Sequence, residues 1–332
     1  MALRFIDSFD HYTDVTTKYT TSSYASPSAG NGRNSTASMR LSRTNSYFSK
    51  TLDSQTTWIV GVAIRLSSIG YGKKLIGFLD GGGIQCDLRV DGVGVLTVTR
   101  NGTTIGTGSS LLINTWYYIE FKLTIDNATG VAIVMVNGQT DINLTGIDTQ
   151  AWASATANVI YLGGAIGTST TENWDFDDLY VCDGTGAAPC NDFLGDCRVE
   201  ALLPSGAGAN TVWTPSAGAN YACVDDNPPN DDTDYVSSSN ATDKDTYALG
   251  NLATTAGTVY GVQTVLEARK DDAGTRTVKS TVLLSATESN GANANLGDTY
   301  AMVRDVFEAK PGGGAWTVAD VNNAELGMEL VA

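Results

Sequence analysis

Three aspartates are spaced so that they could act in acid–base chemistry. Asp175, Asp177 and Asp178 lie in residues 174–182, which read Trp-Asp-Phe-Asp-Asp-Leu-Tyr-Val-Cys. Because side chains alternate along a strand, Asp175 and Asp177 share a face, as the acid and nucleophile of a glycoside-hydrolysing site would. We favour a structural role, in which the carboxylates accept hydrogen bonds from backbone amides at the end of a sheet. Since His11 is the only histidine, a triad also has little support, and we predict no catalytic residue.

A second group of oxygen ligands lies in an acidic stretch of the second half. Calcium binds roughly six to eight oxygens, often from loop carboxylates. The candidate calcium ligands are Asp225, Asp226, Asp231, Asp232 and Asp234. Two prolines interrupt the stretch and EF-hand spacing is missing, so a solvated acidic loop is the favoured alternative. Asp7, Asp10 and Asp14 flank His11 in a similar way, but an edge strand with a solvated turn explains them better. Calcium is the only cofactor that the sequence leaves open.

Four of the five cysteines are close together in sequence: Cys182, Cys190, Cys197 and Cys223. A disulfide among them would staple the region around residue 182 if the protein reaches an oxidising compartment. Reduced thiols are the favoured alternative, because the N-terminus lacks the apolar core of a signal peptide. No Cys-x-x-Cys pair occurs, which argues against structural zinc.

Aromatic residues near predicted loops and strand ends are candidates for carbohydrate binding: Tyr71, Trp152 and Trp174. Such a site would combine exposed rings with a few hydrogen-bonding side chains. Packing in the core, or at its rim, is the favoured alternative for each of the three.

The charge balance restricts the choice of partner. The chain has 332 residues and a formal net charge of −16. Residues 1–185 carry 12 basic and 16 acidic residues (net −4), and residues 186–332 carry 8 and 20 (net −12). A phosphate-binding surface needs clustered Lys and Arg, so we expect no nucleic acid partner. Apolar runs such as residues 58–64 are short, so we expect no membrane span.

The residue patterns predict an all-β protein of two domains. The 36 glycines and only 7 prolines suit strands joined by tight turns, and no window keeps a helical period. The length allows about two domains of roughly 100–200 residues. We place the boundary at a composition change, giving residues 1–185 and a second, smaller and more acidic β-sandwich at 186–332. Its predicted strands are residues 191–203, 244–249, 258–270, 276–286, 299–309 and 324–331, with a helical turn near 319–323.

The strongest local signature is a hairpin in the first half. Residues 116–125 alternate between the two faces, and residues 131–136 form the returning strand before Asn137-Gly138. A tryptophan that opens a strand, an Asp-x-x-x-Gly turn and a second strand ending in Val-Asn-Gly resemble the central hairpin of concanavalin A-like, laminin-G-type jelly rolls. Such domains often end in a strand similar to residues 176–181.

This resemblance covers about residues 3–183 and implies a jelly-roll sandwich. In some laminin-G-type relatives, aspartates around the jelly roll hold calcium. Here these would be Asp80, Asp126 and Asp175, although the resemblance does not place the ligands.

The second half adds a second resemblance. Its stretches at 191–196, 213–221, 224–226, 244–247 and 268–272 look like those of tailed-bacteriophage virion structural proteins that join such a jelly roll to this C-terminal part. The resemblance implies a non-enzymatic particle protein, made in the host cytoplasm without a signal peptide. We expect exterior capsid decoration or head–tail attachment, with capsid, collar or tail proteins as partners, and a homo-oligomer or lattice-bound state. The rival hypotheses are a host-surface glycan-binding adhesin of the tail fibre or baseplate and, with weaker support, a polysaccharide hydrolase.

Overall fold

The computed structural model describes residues 2–34, 36–43, 45–69, 72–164 and 173–332. Two compact units are present, Met1–Val199 and Glu200–Ala332. The first unit therefore extends past residue 185, because residues 186–199 pack on it. Antiparallel strands dominate both units, which confirms the predicted all-β class.

The strands of the first unit are β1 (Leu3–Asp7), β2 (Thr21–Ser23), β3 (Ala25–Ser28), β4 (Ser38–Leu41), β5 (Tyr47–Gln55), β6 (Thr57–Leu66), β7 (Lys73–Asp80), β8 (Gly83–Val90), β9 (Val95–Arg100), β10 (Thr103–Ser110), β11 (Trp116–Thr124), β12 (Gly130–Val136), β13 (Gln139–Ile147), β14 (Ala157–Gly163) and β15 (Trp174–Asp183). A short 3-10 helix at Val15–Thr17 follows β1.

These strands form two sheets that pack face to face. Sheet A has the order β13-β12-β11-β6-β15-β4-β3, with β1 also paired to β15, and sheet B has the order β10-β9-β8-β7-β14-β5-β2. Phe121 of β11 lies against Phe78 of β7, with ring centroids 5.2 Å apart. Trp58 of β6 donates from Nε1 to the carbonyl oxygen of Ala157 in β14 at 2.8 Å. The first unit is thus the predicted jelly-roll sandwich.

The predicted hairpin is the pair β11–β12. Ile119, Phe121 and Leu123 are buried between the sheets, while Tyr118 and Glu120 point away from the core. The strand β15, which the sequence suggested would close the sheet, is the last strand of the first unit but lies in the middle of sheet A. It lies between β6 on one side and β4 and β1 on the other, and it is buried along its whole length.

The outer edges of the two sheets meet at β10 and β13. A Cβ on Gly106 of β10 would come within 2.7 Å of Leu144 Cδ1 of β13. Close to this contact, Ser109 donates its backbone N–H to both carboxylate oxygens of Asp141, each at 3.0 Å. Glycine in β10 therefore allows β13 side chains to pack against this edge strand.

The elements of the second unit are β16 (Pro204–Thr211), β17 (Thr214–Pro215), β18 (Val236–Ser237), β19 (Lys244–Leu249), β20 (Val262–Ala268), β21 (Thr277–Leu284), β22 (Thr287–Asn290), β23 (Ala294–Asn295), β24 (Ala301–Phe307), the helix α1 (Val318–Asn323), β25 (Glu325–Leu330) and a 3-10 helix at Asn220–Cys223. The sheet β16-β19-β25-β21-β22, with β23 paired to β21, packs against the two-stranded antiparallel sheet β20–β24. This is the predicted second sandwich.

Five of the predicted strands and the helical turn of the second unit are present, within a few residues. One predicted strand is absent, and the strands β16, β17, β18, β22 and β23 were not predicted. Residues 191–203 form no strand. The amides of Leu194, Gly195 and Val199 bond to the outer face of sheet A, whereas the Glu200 carboxylate accepts from amides of the second unit. The strand β16 was missed, because its Gly- and Ala-rich sequence carries no apolar alternation. Within the described ranges, no helix is long and apolar enough to cross a membrane.

Candidate functional site

Asp175 of β15 holds two arginines on the outer face of sheet A. Arg40 donates from Nε to Asp175 Oδ1 at 2.8 Å, and Arg65 donates from Nη2 to Asp175 Oδ2 at 2.8 Å. Register explains the arrangement, because Asp175 lies directly opposite Arg65 of β6 and Arg40 of β4. The carboxylate is 3% exposed and both of its oxygens are occupied. Asp175 therefore joins three strands.

Asp177 and Asp178 accept backbone hydrogen bonds, as predicted. Asp177 accepts from the amides of Arg33 at 2.7 Å and of Asp178 at 2.8 Å. Asp178 accepts from the amide of Val199 at 2.8 Å and from Nη1 of Arg33 at 3.2 Å. A bulge at this point of β15, where Asp178 has a φ of +52°, turns both carboxylates toward these partners.

Burial affects the protonation of this pair. Loss of water raises the pKa of Asp177 to about 7, and the neighbouring Asp178 charge adds to the effect. Burial also raises the pKa of Asp178 to about 6, although the Val199 amide and Arg33 oppose the rise. A raised carboxyl pKa can mark a catalytic acid. Here the oxygens point at backbone amides that fix two loops, so the geometry is that of a structural pair.

A buried glutamate on the same face was not predicted from the sequence. Glu120 of β11 accepts from the hydroxyl of Tyr180 and from the backbone amide of Gly195, the latter at 2.8 Å. Leu194 in turn donates its amide to the Tyr180 hydroxyl at 3.2 Å. These bonds fasten residues 186–199, hereafter the covering segment, over the outer face of sheet A. The sequence placed Glu120 on the outer face but held no sign that a distant segment would bury it.

The N-terminal acidic residues do not converge on a common point. Asp7 accepts from Lys18 Nζ at 2.7 Å, and Asp10 accepts from the amide of Ala37 at 2.7 Å. Asp14 caps the 3-10 helix by accepting from the Thr16 amide. The Lys18 charge helps to keep the pKa of Asp7 below its usual value, although burial acts in the opposite direction. This corner of the first unit is a buried ion pair, not a metal site.

The candidate calcium ligands Asp225, Asp226, Asp231, Asp232 and Asp234 are not gathered around one point. Within the part of the chain that the structure describes, no three His, Cys, Asp or Glu side chains are grouped as a metal would require. Asp232 instead pairs with Arg269 at 2.8 Å and accepts from the Tyr300 hydroxyl at 2.9 Å. The five carboxylates therefore form no common calcium site among the described residues, although Asp226 and Asp234 lie within hydrogen-bonding reach of each other.

The possible disulfide among Cys182, Cys190, Cys197 and Cys223 is not formed, and these four cysteines and Cys86 are free thiols, which was the favoured alternative. Cys197 contacts the carbonyl of Leu194 at 3.8 Å, whereas Cys223 donates to the carbonyl of Ala217 at 2.8 Å. Burial raises the pKa of Cys197 to about 12, which makes its thiol a poor nucleophile.

The three aromatic candidates have different environments. Trp174 is 3% exposed, and Lys73 Nζ lies 4.5 Å from its ring centroid, so Trp174 packs in the sandwich and cannot contact a sugar. Trp152 is 48% exposed and donates from Nε1 to the carbonyl of Ile84 at 3.0 Å. Gln85 fixes the loop of Trp152 by accepting from the Ala151 amide at 2.7 Å. Tyr71 lies outside the described residues.

The outer face of sheet B carries aromatic and basic side chains that were not predicted as a site. Tyr47 and Tyr161 stack with ring centroids 4.7 Å apart and an interplanar angle of 21°. On the neighbouring strands, Lys74 lies opposite Arg89, and Arg89 forms two bonds to Asp87, at 2.6 and 2.8 Å. We call these five residues the tyrosine face. Alternation in β14, where Ile160 and Leu162 point inward, was the signal that could have placed Tyr161 outward.

Comparison with known proteins gives similarity in structure only. No family model and no curated protein matches the chain. Alginate lyase Aly36B has a TM-score of 0.43 and 12% identity, over 54% of this chain and 96% of that one. Alginate lyase AlgAT5 from polysaccharide lyase family 7 has a TM-score of 0.35 and 11% identity, over 43% and 77%. A sialidase of Trypanosoma rangeli has a TM-score of 0.35 and 13% identity, over 48% of this chain and 27% of that one.

Proposed function

We propose that this chain is a non-enzymatic structural protein of a tailed-bacteriophage particle, where it decorates the capsid exterior or attaches head and tail proteins. The resemblance of its second half to such proteins supports the proposal. The residues that carry this resemblance form hydrogen bonds that stabilise the fold of the second unit. Buried Asp245 accepts from the Trp213 amide at 2.8 Å, from Asn220 Nδ2 at 2.5 Å and from the Tyr247 hydroxyl at 3.0 Å. Trp213, Asn220, Asp245 and Tyr247 all belong to the resembling stretches, so the likeness concerns the framework of the unit.

The observation that carries the attachment role is an apolar patch on two loops of the first unit. Val93 is 76% exposed, Leu112 67% and Ile113 47%. The two loops are joined by a hydrogen bond from the Leu111 amide to the carbonyl of Gly94 at 2.8 Å. Adjacent exposed apolar side chains are typical of protein–protein contact sites. Here they supply a surface for a neighbouring capsid, collar or tail protein, or for another copy of this chain.

The carboxylate network supports the non-enzymatic part of the proposal. Asp175 and Asp177 have a spacing that could serve glycoside hydrolysis. However, their carboxylate oxygens accept hydrogen bonds from arginines and backbone amides. An acid or nucleophile must instead present an oxygen to its substrate. Release of reducing sugar from a polysaccharide by the purified chain, abolished in Asp177→Asn, would overturn this part.

The test of the structural role is incorporation into particles. We expect the chain in phage particles purified from lysed host cells at a constant ratio to the capsid protein, measured by quantitative mass spectrometry. Leu112→Asp combined with Ile113→Asp should reduce incorporation at least tenfold, since it places charge on the contact surface. Val212→Asp, at an exposed apolar position of the second unit, is the matched control and should be incorporated normally. Absence of the wild-type chain from purified particles would contradict the proposal.

A further inference from the structure

We propose that the tyrosine face is a binding surface for an acidic polysaccharide, whose sugar rings pack on the tyrosines while Lys74 and Arg89 pair with its carboxylates. This inference goes beyond a structural role on a particle and does not depend on it. The incorporation test and the binding test can fail separately. The protein can be part of a particle and bind no glycan, or bind glycan and be absent from particles.

The aromatic part of the surface is the stacked pair Tyr47–Tyr161. Both rings are half-buried, and both stand on the outward positions of neighbouring strands, β5 and β14. A tyrosine offers an apolar ring and a polar hydroxyl together, which suits a ligand with apolar C–H faces and hydroxyl edges. The Tyr161 ring is also close to Gly164, whose Cβ position lies 3.2 Å from Tyr161 Cε1 and 3.6 Å from Lys74 Cδ. The Tyr161 ring and the aliphatic part of the Lys74 side chain therefore both lie next to Gly164.

The charge of the surface favours an anion. Asp87 is fully buried, and its oxygens are taken by Arg89 and by the hydroxyl of Thr99. Arg89 uses only two of its five N–H groups on Asp87, so the rest can reach a ligand. Within the described ranges, no salt bridge joins Lys74 to a carboxylate. Burial lowers the pKa of Lys74, while the Asp87 charge acts against this change. Two basic groups side by side are notable in a chain of net charge −16.

The shape of the surface favours a polymer over a small solute. Trp152 lies at the far end of the same face, since a Cβ on Gly83 would come within 2.6 Å of Trp152 Nε1. From Gly83 to Arg89 the strand β8 extends about 20 Å at ~3.3 Å per residue. Between these ends the outward residues Gln85 and Asp87 are fully buried, so the accessible parts of the face are the tyrosine end and Trp152. Two accessible ends this far apart suit an extended chain better than a small solute.

The experiment measures binding of the full-length protein to polygalacturonate, hyaluronate and polysialic acid, with dextran as the neutral polymer, by affinity electrophoresis and calorimetry. We expect at least one of the three acidic polymers to bind and dextran not to bind. Lys74→Glu and Tyr161→Ala should each weaken binding at least tenfold, and Tyr161→Phe should retain most of it because the ring is kept. Lys122→Gln, which removes a lysine from the outer face of sheet A, is the matched control and should bind as the wild type does.

Several results would overturn the inference. These are binding to none of the acidic polymers, equal binding to dextran or to duplex DNA, and unchanged binding in Lys74→Glu. Thermal unfolding of each variant is measured first. If Tyr161→Ala proves unstable, Lys74→Glu against Lys122→Gln decides the question, because both lysines are only partly buried.

Discussion

The two outer faces of the first unit carry similar residue types but differ in how deeply these residues are buried. On sheet A, the outward residues Tyr118 and Glu120 are almost fully buried under the covering segment. On sheet B, the outward residues Tyr47 and Tyr161 remain half-exposed. Outward aromatic residues are thus part of the framework on one face and stay partly accessible on the other. What separates the two cases is a segment more than 60 residues away in sequence from β11.

A matched pair of glycine substitutions tests this contrast most strongly. Gly61 of sheet A lies opposite Glu120 and Tyr180, and its Cβ would come within 2.5 Å of Tyr180 Cζ. Gly77 of sheet B lies opposite Asp87 and Tyr161, and its Cβ would find only ordinary contacts at 3.6 Å or more. We expect Gly61→Ala to lower the free energy of unfolding by about 3 kcal/mol and Gly77→Ala to change it by less than about 1 kcal/mol. Urea unfolding measures both; equal effects would remove the contrast.

Loss of the buried glutamate should have the next largest effect. Glu120→Ala leaves the Tyr180 hydroxyl and the Gly195 amide without their acceptor, which destabilises the protein by about 2–3 kcal/mol. Glu120→Gln keeps an acceptor oxygen and should lose much less. Limited proteolysis should cut Glu120→Ala within residues 186–199 first. Cleavage elsewhere, with the segment intact, would show that Glu120 does not fasten it.

The covered face should also make stability depend on pH. The folded-state pKa values of Asp177 (about 7) and Asp178 (about 6) lie above the usual value of 3.8. The folded protein therefore holds protons that the unfolded chain releases, and this stabilisation is lost as the pH rises through the folded-state values. Between pH 6 and pH 8 the free energy of unfolding should fall by on the order of 1–2 kcal/mol. Urea unfolding at several pH values measures this; Asp177→Asn should flatten the dependence, and an unchanged slope would contradict the assignment.

The smallest expected effect comes from one partly buried lysine on each face. Lys122 pairs with exposed Asp192 at 3.0 Å, a contact that contributes less than about 0.5 kcal/mol. Lys122→Gln and Lys74→Gln should therefore both leave the unfolding midpoint nearly unchanged. Only Lys74→Gln should weaken polysaccharide binding. A weakening of similar size in Lys122→Gln would mean that general charge, and not the tyrosine face, governs binding.

Local patterns predicted most of the fold. The hairpin β11–β12 and the strands β19, β21 and β25 follow from apolar alternation between turn residues. The strand β16 could not be found this way, because Gly206 and Gly208 leave little alternation to detect. Residues 191–203 were misread as a strand, since Phe193 and Leu194 give an apolar run that actually lies across sheet A.

The sites were less predictable than the strands. The role of Asp177 and Asp178 as acceptors of backbone hydrogen bonds followed from their place in a strand, and it is confirmed. For Trp174 the favoured alternative, packing in the core, is the one that the structure shows, whereas exposed Trp152 could not be told apart from it by position near a loop. Tyr47 and Tyr161 are 114 positions apart (161 − 47) and meet only through the pairing of β5 with β14. Such pairing depends on long-range register, which a single sequence does not encode in any local pattern.

The contact between β10 and β13 has a consequence for crowded conditions. Exposed sheet edges offer free backbone groups to other chains, which can add strands and start aggregation. Here the edge amide of Ser109 is already taken by the Asp141 carboxylate, and an inward-facing charge at an edge repels an incoming strand. Where β10 and β13 meet, copies of this sandwich packed at high local density are therefore hindered from joining edge to edge.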